Sequence, residues 1–223
     1  MLKPDYEQDN LKLFNADCME VMKQYEDNYF DLAVVDPPYG IGIMKQFKSA
    51  GFEETRSMFK QTNGIGGSEW DSCIPNEEYF IELKRVSKNQ IIWGGNYFLD
   101  YLNNTKCFLV WDKMNGTNNM ADCELAWTSL DKGVRKFSMH HFSKCYGNKI
   151  HICQKPVLLY DWIYKLFSEP SQKILDTHLG SGSNAISAHY AKMGEFVGCE
   201  LDEDYFKASV KRIYNETRQQ ELF

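Results

Sequence analysis

Apolar residues recur along the chain in two alternating rhythms. Short apolar runs rich in β-branched and aromatic residues fall at Leu11–Asn15, Leu32–Val35, Gln90–Trp93, Cys107–Trp111, Glu124–Thr128, Ile174–Leu175 and Phe196–Cys199. Spacings of three and four predict helices at about Met19–Tyr25, Asn76–Ser87, Lys155–Phe167, Ser183–Met193 and Glu203–Arg218. Seven strands with intervening helices predict an α/β fold, a doubly wound and mostly parallel seven-stranded sheet. No repeat, low-complexity tract or linker divides the chain, so residues 1–223 read as one domain. Two stretches break the rhythm. Gly40 to Asp71, rich in Gly, Ser, Thr and Asn, is too long for an ordinary connection, and Asp112 to His151 holds one strand and then a basic run. Loops of this length tend to be functional or disordered, and both are candidates for gripping a large substrate.

Bulk properties narrow the classes. With 43% hydrophobic and 25% charged residues the composition is that of a soluble globular protein. No apolar run approaches the length of a membrane span, and the first ten residues carry no signal-peptide core, so a cytoplasmic location without a membrane partner is expected. The seven cysteines form no CxxC pair and the five histidines add no cluster, which argues against a disulfide framework and against a metal site. A net charge of −6 weighs against nucleic acid. Its distribution weighs the other way: Lys132 to Lys149 carries five basic residues, two histidines and no acid, and Met44 to Gln61 carries four basic residues against two acids. Either these are solvated loops, or they contact phosphates, with Lys132, Arg135 and Lys136 as the candidate residues.

Two turns carry chemistry. Near the C-terminus, Lys173-Ile-Leu-Asp-Thr-His-Leu-Gly-Ser-Gly-Ser183 leads from a strand through a glycine turn into a helix. Glycines there allow close backbone approach to a ligand, and the helix N-terminus offers free N–H groups. Glu200, 20 positions after Gly180, ends the next strand, where it can accept hydrogen bonds from ribose hydroxyls. Neither phosphate-binding version of the motif is matched, so an adenosine-containing ligand competes with a plain packing turn. The second turn is Asp31-Leu-Ala-Val-Val-Asp-Pro-Pro-Tyr-Gly40. Two prolines end an apolar strand and fix a rigid turn at its carboxyl end, where open α/β sheets bind ligands. Asp36 and the Pro37 carbonyl can both accept hydrogen bonds from one amino group, Pro38 stiffens the turn, and Tyr39 offers an aromatic face. An exocyclic base amine is a poor nucleophile because its lone pair is delocalised into the ring. Two fixed acceptors would draw it toward a tetrahedral nitrogen with the lone pair aimed at an electrophile. A base paired in a duplex must first leave the stack, and Tyr39 would then stack on it.

With Asp36-Pro-Pro-Tyr39 preceding the Asp176–Gly182 turn, the chain resembles the circularly permuted β-class DNA amino-methyltransferases, and the resemblance covers nearly all of it. It implies a Rossmann-like fold of the S-adenosylmethionine-dependent type, double-stranded DNA as substrate and transfer to the N6 amine of adenine. In that family's pattern Leu11-Lys-Leu-Phe-Asn-Ala-Asp-Cys18 places Asp17, with Cys18 beside it, at the cofactor's adenine. Gln154-Lys-Pro156 looks like the motif that holds the methionine end, through Lys155. Asp176, His178, Leu179, Gly180, Ser181, Gly182 and Ser183 form the cofactor turn, with Glu200 on the ribose. The resemblance also lines up the cofactor strand, the Glu200 strand, the Asp17 strand and the Asp36 strand in that order along one half of the sheet.

The chain departs from the family where Thr177 and His178 replace a Pro-Phe pair, and His178 reads as a cofactor-pocket residue rather than a base. Recognition has only 40–71 and 112–151 to draw on. The DPPY form favours adenine over cytosine-N4, whose enzymes more often carry SPPY. Cytosine-C5 chemistry needs a Pro-Cys nucleophile, and the chain contains none. Cytosine-N4 or RNA methylation, and a catalytically silent cofactor-dependent DNA-binding module, are the alternatives. Family members often dimerise, so a homodimer is expected. Gln219-Gln-Glu-Leu-Phe223 resembles the short peptide with which bacterial replication proteins dock on the sliding clamp, which implies a nucleoid-associated protein.

Overall fold

The computed structural model describes residues 2–42, 73–116, 121–140, 150 and 153–218. Most of the 40–71 stretch, parts of 112–151 and the Gln219–Phe223 tail lie outside the described residues. In chain order the elements are β1 (Tyr6–Gln8), β2 (Leu11–Phe14), α1 (Cys18–Met22), β3 (Leu32–Val35), α2 (Glu77–Val86) and β4 (Gln90–Trp93). They continue with a 3-10 turn (Gly95–Tyr97), β5 (Phe108–Asp112), β6 (Cys123–Thr128), β7 (Arg135–Ser138), α3 (Val157–Phe167), β8 (Lys173–Asp176), α4 (Ser183–Tyr190), β9 (Glu195–Cys199) and α5 (Glu203–Arg218).

One sheet runs β1-β2-β9-β8-β3-β4-β6-β5-β7. The five strands from β2 to β4 are parallel, β6 runs antiparallel to both β4 and β5, and β7 is parallel to β5. The doubly wound architecture is as expected from the sequence. Nine strands are present among the described residues rather than seven, because both outer strands escape a hydrophobicity pattern. β1 is the polar triplet Tyr-Glu-Gln in a hairpin, and β7 is Arg-Lys-Phe-Ser, whose charged residues suit an outer strand exposed on one side.

Central strands are apolar without alternation because helices cover both faces. Leu32 and Val34 of β3 join a core with Leu159 and Ile163 of α3, Ala185 and Ile186 of α4 and Ile213 of α5. Ala33 and Val35 join the opposite core with Val21 and Met22 of α1 and Phe80 and Leu83 of α2. All four side chains of β3 and of β4 are buried, which explains the apolar runs Leu32–Val35 and Ile91–Trp93.

The order of the strands corrects one expectation. The Asp36 strand, β3, lies on the other side of the cofactor strand β8 from β9, so the sequence across the sheet is β2, β9, β8, β3. β3 and β8 are therefore immediate neighbours, with Ala33 opposite Leu175. A buried amide ties their ends together. Asn184 Nδ2, in the first turn of α4, donates to the Val34 carbonyl at 3.0 Å and to Asp176 Oδ2 at 2.9 Å, while its Oδ1 accepts from the Tyr164 hydroxyl at 2.5 Å. Asn184→Ala leaves two buried acceptors without their donor, an expected loss of about 2–4 kcal/mol, read from the shift of a urea unfolding curve.

Candidate active site

The site lies along the carboxyl ends of the parallel strands, where the order of connections reverses between β8 and β3. Asp36 follows β3 directly, on the Pro37-Pro38 turn, and Pro37 is buried. Its two carboxylate oxygens are occupied separately. The Tyr39 hydroxyl donates to Oδ1 at 2.6 Å, and the Lys155 ammonium donates to Oδ2 at 2.5 Å. Lys155 also donates to the Tyr39 hydroxyl oxygen at 3.3 Å. Burial, reinforced by the Asp36 charge, pushes the Tyr39 phenol well above its ordinary range, so it stays a neutral donor.

Tyr39 is wedged in place. Its ring stacks on Tyr97 with centroids 5.0 Å apart and planes 16° from parallel. Gly94, at φ +69°, lies so close that a Cβ there would fall 2.2 Å from the Tyr39 ring. The sequence expectation that Tyr39 stacks on a base thus meets a partner already present: Tyr97, which is 43% exposed. Tyr97 carries no signal of its own in the sequence.

Lys155, expected at the methionine end of the cofactor, has its ammonium on Asp36 and, 3.1 Å away, beside Glu124 Oε2. Glu124 Oε1 in turn pairs with Lys113 at 2.6 Å. Glu124 stands near the start of β6 opposite Trp111, and it reaches the catalytic edge because β6 runs against its neighbours. Burial alone would raise the Glu124 carboxyl, but the Lys155 and Lys113 charges hold it down at about 2. Burial likewise works against the Lys155 ammonium, and the Asp36 and Glu124 charges overcome it and raise its pKa. The result is a four-charge chain, Asp36–Lys155–Glu124–Lys113, balanced two against two. Neither Lys113 nor Glu124 could be identified from local sequence, since their partners come from other elements.

The glycine turn follows β8. Gly180 has φ +52°, and a Cβ built there would meet nothing nearer than the His178 carbonyl at 3.9 Å, so space lies open above it. Gly182, at φ +76°, packs against Ile213 of α5 and precedes α4, whose first residue is the buried Ser183. Leu179 and Ser181 are also buried, and Ser181 Oγ lies 3.1 Å from Ser183 Oγ. Arg212, unnoticed in the sequence, reaches back from α5 to the Ser181 carbonyl at 3.0 Å and Ser183 Oγ at 2.9 Å.

Acidic residues surround this turn. Glu200, at the end of β9, accepts from the Gly180 amide at 2.9 Å and the Asp202 amide at 3.0 Å. Asp17 follows β2 and caps α1 through the Met19 amide at 2.8 Å. Beside it, burial and the Asp17 charge push the Cys18 thiol up to about 12, keeping it neutral. Burial lifts Asp176 to about 7 despite donation from Asn184 and the His178 amide. Burial pushes the His178 imidazole down to about 4, against the Asp36 and Asp17 charges, so it is neutral. Its Nδ1 lies 2.9 Å from Thr177 Oγ1, which also meets the Tyr79 hydroxyl at 2.7 Å. The fold therefore gathers Asp17, Cys18, Asp176, His178, Leu179, Gly180, Ser181, Gly182, Ser183 and Glu200 around the ends of β2, β8 and β9, beside Asp36.

It does not gather the basic trio. Lys132, Arg135 and Lys136 are exposed, on or before the outermost strand β7. β7 runs parallel to β5, with Ser138 opposite Asp112, so its C-terminal end faces the catalytic edge and Lys132 and Arg135 lie toward the other end. Lys136 pairs with Asp112 at 3.2 Å. The reason is chain direction: the trio stands at or before the start of β7, which enters from the far side of the sheet.

Sheet order and site together define a Rossmann-like methyltransferase fold, with the catalytic half of the chain first and the glycine-turn half last. A family model described as DNA methylase (N6_N4_Mtase) matches residues 30–211. The chain belongs to this N6/N4 DNA methylase family. Type II methyltransferase M.ScaI of Streptomyces caespitosus is 24% identical over 268 residues, covering 99% of this chain and 86% of its own. Among solved structures, the M1.HpyAVI–SAM complex has a TM-score of 0.59 at 17% identity, covering 91% of this chain and 98% of that one. The PvuII DNA methyltransferase, cytosine-N4-specific, has a TM-score of 0.59 at 12% identity, covering 96% and 93%.

Two outcomes follow from this geometry. Gly94→Ala forces a side chain into the Tyr39 ring at a left-handed backbone position. It is expected to cost about 1–3 kcal/mol in a thermal melt and to lower methyl transfer more than cofactor binding. Asp176 binds its proton more tightly folded than unfolded, so its contribution to stability falls as pH rises from about 4 to about 7. Asp176→Asn is expected to remove that fall, so that the stability difference between wild type and variant changes with pH across this window and is flat above it.

Proposed function

We propose that the protein transfers a methyl group from S-adenosylmethionine to the N6 amine of adenine in double-stranded DNA. The observation that carries this reading is the Asp36 carboxylate, fixed by two prolines at the end of β3 and separated by no intervening strand from the glycine turn of β8.

The residues fit the cofactor. Open space above Gly180 leaves room for its close approach, and Ser183 opens a helix N-terminus beside it. Glu200, though holding the Gly180 and Asp202 amides, keeps further lone pairs for ribose hydroxyls. When bound, S-adenosylmethionine supplies an electrophilic methyl group on its sulfonium. Asp36 and the Pro37 carbonyl orient the amine of an extruded base, and the Tyr39–Tyr97 pair presents the aromatic surface it meets. As the nitrogen gains its new bond, its N–H groups become stronger donors, and the fixed acceptors hold that state more tightly than the starting amine. Neutral His178 contributes packing and polarity rather than proton removal.

Adenine is favoured by the Asp36-Pro-Pro-Tyr39 form of the turn. Cytosine-N4 is the second reading, favoured by the likeness to the cytosine-N4-specific PvuII enzyme. Nothing in the proposal rests on Lys132, Arg135, Lys136 or the C-terminal tail. The test is methyl transfer from labelled cofactor to duplex DNA free of methylated bases, followed by nucleoside analysis. Labelled N6-methyladenine is the expected product. N4-methylcytosine overturns the base assignment, and label in RNA alone overturns DNA as substrate.

A further inference from the structure

The geometry points to Lys155 as an internal placeholder for the substrate amine, and to Glu124 as the positioning residue that takes the Lys155 ammonium off Asp36 when that amine enters. The inference rests on the methyl-transfer reading above. Its basis is an asymmetry between the two carboxylates that share the ammonium. On Asp36 the contact is an aligned hydrogen bond of 2.5 Å to Oδ2. On Glu124 the same nitrogen is 3.1 Å from Oε2, a longer ion-pair contact. Oε2 is buried and meets only this longer contact among the described residues, while Oε1 is held by Lys113 at 2.6 Å. A second seat for the ammonium is therefore built next to the occupied one.

The exchange needs no charge to be created or lost. An N–H of Lys155 leaves Asp36 Oδ2 and completes the bond to Glu124 Oε2, and an N–H of the target amine takes the vacated oxygen. Tyr39 stays on Oδ1 throughout, so the carboxylate does not turn. A small shift suffices, because Lys155 already lies within reach of both acids and over the Trp93 ring at 5.3 Å. Before substrate arrives, the ammonium satisfies an acceptor that is partly buried and has no other donor on that side among the described residues. Without Glu124 the same ion pair becomes an obstacle, since among the described residues Asp36 is then the one carboxylate left to the Lys155 ammonium.

Four proteins test this: wild type, Glu124→Gln, Lys155→Met and the double variant, assayed for methyl transfer to unmethylated duplex DNA and for cofactor affinity. Glu124→Gln is expected to raise the KM for DNA roughly tenfold with cofactor affinity unchanged, and adding Lys155→Met is expected to bring KM back close to the Lys155→Met value. A double variant worse than Glu124→Gln by the full Lys155→Met factor overturns the inference, as does a KM that Glu124→Gln leaves unmoved. Lysine ammonium NMR supplies a readout free of turnover. The Lys155 signal is expected to exchange faster with water in Glu124→Gln, and an unchanged rate refutes the role of Glu124 even if wild type proves inactive on DNA. That last result, by itself, would count against the parent reading instead.

Discussion

A single buried amide sets the spacing between the two halves of the site. Asn184 spends both of its N–H groups on acceptors at the ends of adjacent strands, the Val34 carbonyl of β3 and the Asp176 carboxylate of β8. The catalytic turn begins two residues after Val34, and the glycine turn begins directly after Asp176. Whatever holds Asn184 therefore fixes the distance between the Asp36 turn and the glycine turn, which in the proposed reaction is the quantity an in-line transfer depends on. Tyr164 holds it from α3, and the helix that carries it is anchored by Gly182 packing on Ile213. Arg212 adds a second brace from α5 to the turn itself. Packing on the far face of the sheet thus reaches the chemistry through very few bonds.

Electrostatics divide the site into two regions of different character. Around Asp36 the charges are paired in a chain of two acids and two lysines, so ionised groups persist in spite of burial. Around the glycine turn the buried titratable groups are pushed toward neutrality, Asp176 upward and His178 and Cys18 into their uncharged forms. A positively charged sulfonium would meet a turn flanked by Asp17 and Glu200, and a neutral amine would meet an oriented acceptor. Both conditions favour attack by nitrogen without a general base.

Local chemistry was legible in the sequence, and distant pairing was not. β3 and β4 have the bounds their short runs suggest, because burial on both faces favours apolar residues and the one polar side chain, Gln90, is satisfied by the Ser87 carbonyl. The Asp36-Pro-Pro-Tyr39 turn and the glycine turn declare themselves because each is a short run with its own backbone logic. β1 and β7 stayed hidden, being short and polar at the edges of the sheet. The resemblance points Lys155 at the cofactor but is silent on its protein neighbours, Asp36 and Glu124, which lie 119 and 31 positions away in the chain. Only the reversed direction of β6 brings Glu124 to the catalytic edge, and no local pattern encodes that.

The most direct measurement is Asp36→Ala compared with wild type in a single-turnover transfer to duplex DNA, together with calorimetric cofactor binding. Transfer lost, with cofactor affinity within about twofold of wild type, is the result expected if Asp36 orients the amine and the turn of β8 holds the cofactor. Transfer that survives, or cofactor affinity that collapses with it, would contradict that division of roles.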